Sequence, residues 1–147
     1  MSVDGGCRRG AVRYRLALDQ LPRTYACHCR DCQTSSGSAF SQQAAVPEAA
    51  LTIAGPLVIY EHVTEDRVSR QRFCGVCHCR LYNTNTARPG VAVVRAGTLD
   101  DSDKLDVAAH IWASRKQAWV TIPDGAPQWP EGPPVAEFFA VMTGSKA

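Results

Sequence analysis

Polar and apolar positions alternate over much of this chain. In "AVRYRLAL", Val12, Tyr14, Leu16 and Leu18 stand against Arg13 and Arg15, the period-two pattern of a strand with one buried face. "SAFSQQAAV" predicts a second strand, closed off by Pro47. "LTIAG" and "LVIYEHV" follow, with Gly55–Pro56 as the turn between them. "RVSRQRF" runs into Cys74, "RLYNTNT" leads away from Cys79, and "GVAVVRAGTL" and "QAWVTI" complete the set. Helical signals are few. "PEAAL" suffices for one turn, whereas "PPVAEFFAVMTG" spaces Val135, Phe138, Phe139 and Met142 as a helix does, with proline before and glycine after. Short strands joined by Gly, Pro and Asp turns predict a mainly β fold with a short C-terminal helix.

A length of 147 residues is enough for one real core and too short for two comfortable ones. No internal repeat interrupts it, and "PDGAPQWPEGPP" reads as a surface loop, so a single domain over 1–147 is expected. Hydrophobic residues at 45% against 20% charged describe a soluble globular chain. A formal charge of +2 makes no electrostatic case for nucleic acid or a membrane surface, and no apolar run reaches spanning length. The opening residues lack the apolar stretch of a signal peptide. A cytoplasmic setting is therefore expected, where thiols stay reduced. The cations are mostly arginine, with only three lysines. A guanidinium fork matches carboxylates, which keeps small acidic ligands in view beside the plainer reading of solvated strand faces. An oligomer is compatible with all of this.

The chemistry lies in the cysteines, at positions 7, 27, 29, 32, 74, 77 and 79. An odd count fits a disulfide framework poorly, so metal binding leads. "FCGVC" is a C-x-x-C knuckle whose glycine lets both sulfurs reach one ion, and "CHCRDC" presents three thiols from one tight loop. Three protein ligands leave a tetrahedral position open, the arrangement of catalytic zinc, whereas four close it. One division therefore puts Cys27, Cys29 and Cys32 on an open ion and Cys7, Cys74, Cys77 and Cys79 on a closed one. Another pinches a single closed ion between Cys27, Cys32, Cys74 and Cys77 and leaves Cys29 without a role. Buried thiols or redox chemistry are the third.

The run "GGC", then "CHCRDCQTSSGSAF", "RFCGVCHCRLY", "AGTLDD" and "HIW" resembles the glutathione-dependent formaldehyde-activating enzyme family (Gfa, or CENP-V/GFA domain), from about Gly5 to Trp119. The resemblance implies an Mss4-like, β-rich zinc fold with two zinc ions per chain: a structural one on Cys7, Cys74 and Cys77, and a catalytic one on Cys27, Cys29 and Cys32. One motif departs from the family. Its usual C-x-C-G reads "CRRG" here, so Arg9 stands where the fourth structural ligand belongs. Cys79 is the expected replacement, with His78 as the alternative.

The family's activity implies a carbon–sulfur lyase acting on a thiol–aldehyde adduct such as S-hydroxymethylglutathione, with glutathione as the small-molecule partner. Three thiolates on Zn²⁺ sum to −1, so an open centre of this kind serves better to hold a thiolate than to polarise a carbonyl. Arg30 is the nearest candidate to balance the charge, and Ser36, Gly37 and Ser38 are candidates for substrate contact, each against a plain solvated turn. His110 is either a proton shuttle or a histidine hydrogen-bonded within the fold. A non-catalytic thiol carrier and a zinc-stabilised interaction module are the competing functions.

Overall fold

The structure is a computed structural model and describes residues 2–144. It is mainly β, with its strands in two sheets and a short C-terminal helix. The chain forms two compact units, one from residues 1–22 and 44–104, the other from 23–43 and 105–147.

In the first unit, β1 (Val3–Gly6), β2 (Arg13–Leu16) and β5 (Leu51–Ala54) form an antiparallel trio with β2 at its centre. Alternation places Tyr14 and Leu16 inside and Arg13 and Arg15 in solvent, as the sequence predicts. Gly5 is required on packing grounds, because a Cβ there would fall on the Tyr14 ring and 2.6 Å from the Thr98 carbonyl oxygen. A meander follows in β6 (Leu57–Val63), β7 (Val68–Cys74), β8 (Arg80–Asn85) and β9 (Val91–Arg95). Val12, Leu16, Leu81 and Val94 are fully buried.

In the second unit, β3 (Thr24–Cys27) lies between β10 (Val107–Ile111), to which it is parallel, and the opening residues of β4 (Ser41–Pro47), to which it is antiparallel. All four residues of β3 are buried. A strand covered on both faces shows no alternation, which is why the pattern along the sequence passes over it. After Cys29 the chain turns into α1 (Arg30–Ser36), where the sequence predicts only a loop. α2 (Val135–Thr143) is the expected C-terminal helix, closed by Gly144 in the left-handed conformation. It sets Phe138 edge-on against Tyr25, centroids 4.9 Å apart.

The expected strand "QAWVTI" is a correction. Val120 N–H donates to the Gln117 carbonyl at 3.1 Å, a turn in the middle of the segment, and Trp119 is exposed. The "PEAAL" turn is present as a 3-10 turn at Glu48–Ala50.

Candidate metal centres

β3 and α1 meet at the sequence "CHC". Residues two apart on an extended chain face the same side, so Cys27 and Cys29 point one way and His28 the other, into the core, where it is fully buried. Cys29 is also the N-cap of α1, its sulfur accepting the Cys32 N–H at 3.3 Å. The first helical turn then returns Cys32 to the same place. The three sulfurs lie within 4.8 Å of one another. Two sulfurs bound to one tetrahedral zinc at 2.3 Å stand roughly 3.8 Å apart, so the group fits such an ion with little movement. Gln43 Nε2 donates to Cys32 Sγ from β4 at 3.5 Å, a neutral donor against a centre rich in negative charge.

Shared protons differentiate the thiols. Cys29 is held far below the ordinary thiol value because Cys27 and then Cys32 donate to it, helped by the Cys32 and Asp31 backbone N–H groups. Cys27 is pushed far up as the donor in that contact and by burial. A thiolate at a helix N-cap among N–H donors is the form that binds metal.

The buried side of the loop is polar. His28 Nε2 and His110 Nδ1 are 2.9 Å apart, and His28 Nδ1 has no partner among the described residues. Gln33 Nε2 donates to the carbonyls of His28 (2.8 Å) and Arg115 (2.9 Å). Burial holds both histidines below their ordinary value, His28 at about 4. Of the two roles expected for His110, the hydrogen-bonded one is what the geometry shows. The Cys-His-Cys alternation marks His28 as the inward residue.

A second group, Cys7, Cys74 and Cys77, also brings its sulfurs within 4.8 Å. It shares no member with the first. Cys74 Sγ accepts from Val76 N–H at 3.3 Å and Cys77 N–H at 3.4 Å, and Cys7 Sγ from Val12 N–H at 3.3 Å. The Val12 bond is the main reason that the Cys7 thiol is lowered to about 6. Cys79 N–H does the same for Cys77. The Cys79 sulfur itself stands outside the group, 3.8 Å from the Arg80 carbonyl oxygen, and burial raises its pKa. His78 is exposed and holds φ at +59°.

Beside α1 is an open cavity of about 390 Å³, lined by Arg30, Gln33, Thr34, Gly37, Ser38 and Gln117. Three of the four residues expected at the substrate therefore border one space. The fourth, Ser36, turns its hydroxyl to the Gln33 and Phe40 carbonyls at 3.5 and 3.4 Å.

The sequence profile of the glutathione-dependent formaldehyde-activating enzyme family matches residues 2–115. The chain belongs to that family. The match stops just short of Trp119, where the sequence resemblance was expected to end. No functionally curated protein matches the chain. Among solved structures, a crystal structure of a Rhodobacter sphaeroides protein has the same fold at a TM-score of 0.53 and 20% identity, covering 66% of this chain and 87% of the other. Family membership and two cysteine triads, each able to hold a metal ion, are consistent with zinc. No helix among the described residues is long and apolar enough to cross a membrane.

Proposed function

We propose that this chain holds a thiol at a zinc centre on Cys27, Cys29 and Cys32 and catalyses the reversible joining of that thiol to an aldehyde. Glutathione and S-hydroxymethylglutathione are the expected thiol and adduct. The observation that carries the reading is the convergence of three sulfurs with no fourth ligand atom in the group, among the described residues. A zinc ion there supplies the acidity that keeps a bound thiol deprotonated at neutral pH.

The rest falls to the chain. The thiol sulfur bonds to the carbonyl carbon, its proton ends on the carbonyl oxygen, and nothing is oxidised. Arg30 offsets the excess negative charge from within the ligand loop, and Gln43 donates to the Cys32 sulfur. Arg30, Gly37 and Ser38 border the space for the polar arms of glutathione, while Ser36 fixes the turn beneath them. Cys7, Cys74 and Cys77 would hold a second, structural zinc, with Cys79 as the fourth ligand. An Mss4-like scaffold and a cytoplasmic setting belong to the same reading.

Native mass spectrometry of the wild type and of the Cys27/Cys29/Cys32→Ser variant gives the stoichiometry. Two ions are expected in the first and one in the second, with the variant still folded. The wild type should form the adduct faster than the spontaneous reaction, and Cys29→Ser should abolish that gain. Saturable glutathione binding with no rate gain would make the chain a carrier. One ion, lost together with the fold in the triple variant, would remove the enzyme reading.

A further inference from the structure

We propose that the His28–His110 ring pair is a positioning device, fixing the Cys27–Cys29 loop from its buried side so that the three sulfurs stand preset for an ion. The proposal rests on the zinc reading above.

His28 sits between two ligands and is held at three points besides its chain neighbours. Its N–H donates to the Ile111 carbonyl at 3.0 Å, its carbonyl accepts from Gln33 Nε2 at 2.8 Å, and its ring meets His110 at 2.9 Å. The ring also lies against Phe40, centroids 5.3 Å apart. His110 is anchored as firmly. In β10 it pairs with Ala26, its N–H donates to the Pro127 carbonyl at 3.0 Å, and its carbonyl accepts from Trp129 N–H at 3.0 Å. Two residues on, Trp112 is held at φ +55°, a conformation that a bulky side chain adopts only where its surroundings impose it.

Filling this space would need only an apolar side chain. A polar pair costs more, because it leaves His28 Nδ1 buried without a partner. What it adds is direction, since a ring-to-ring hydrogen bond is made at one rotamer and one strand register. Either tautomer keeps the Nε2–Nδ1 contact, with one ring donating and the other accepting. Partners bonded directly to metal ligands are worth about 10–100-fold in metal affinity; His110 acts one residue further back, through His28, so its share sits at or below the lower end of that range.

Chelator competition on the metal-loaded protein, followed by cobalt(II) thiolate absorption, tests this with a built-in reference in the Cys7–Cys74–Cys77 centre. His110→Leu should weaken metal binding at Cys27–Cys29–Cys32 by up to about 10-fold and leave the other centre unchanged. His110→Asn, which keeps an acceptor near the Nδ1 position, should recover most of the loss. Gln33→Met removes the donor to the His28 carbonyl and gives the same readout if His110→Leu does not fold. Wild-type affinity in His110→Leu, or equal weakening of both centres, overturns the inference alone. A wild type holding its only ion at Cys7–Cys74–Cys77 overturns the zinc reading and this inference with it.

Discussion

Arg9 occupies the position at which the family pattern calls for a cysteine, and it turns its backbone rather than its side chain to the sulfurs: its N–H helps to lower both Cys7 and Cys77. The substitution was legible in the sequence; the response to it was only partly so. Three sulfurs gather as the motif predicts, while Cys79 waits at the margin with its thiol raised by burial. If Cys79 completes the centre on metal binding, Cys79→Ser loses zinc from it and lowers the melting temperature. For a chain near this length, each kcal/mol of lost stability moves the melting point by roughly 2–4 °C. Unchanged zinc content and unchanged melting would remove Cys79 from the ligand set. His28 shows the opposite case, a residue hidden in plain view. Between two cysteines it looks like a fourth ligand, and only the alternation of an extended chain sends it inward.

At the scale of elements, the sequence yields the strands that alternate and conceals those that do not. β2 and the meander read clearly because one face of each residue pair is polar. β3 and β10 do not, since TYAC and VAAHI lack the unbroken Val/Ile/Leu run that marks most doubly covered strands. α1 is invisible for a different reason. "RDCQTSS" has no apolar periodicity, and the helix is defined by its ends, a sulfur cap at Cys29 and Gly37 at φ +64°. Those ends can be separated by mutation. A Cβ at Gly37 meets nothing within 4 Å, so Gly37→Ala costs about 1–2 kcal/mol through backbone strain alone. The urea midpoint should fall accordingly while zinc content stays at the wild-type value. Loss of zinc as well would mean that the two ends of α1 are coupled.

For the whole molecule, acid is the informative stress. Burial keeps His28 and His110 neutral in the folded chain, His28 down to about 4 from the usual 6.5. The unfolded chain takes up protons first as pH falls, so stability is complete above about 6.5 and is lost progressively toward 4. Melting temperature between pH 7.5 and 5 should drop less steeply in His110→Asn than in the wild type; parallel curves would exclude His110 as a source. The two centres also differ in how far apart their ligands lie along the chain. Cys27 to Cys32 spans six residues, so those thiols are neighbours even before folding and the cost of closing the loop is small. Cys7 and Cys74 are 74 − 7 = 67 positions apart and meet only when their unit has formed. His110, behind the first centre, lies 82 residues beyond His28. During synthesis, then, the three-cysteine loop is complete well before His110 is made. On the reading proposed above, an early, loose hold on an ion would become a firm one only after His110 is made and β10 has joined β3.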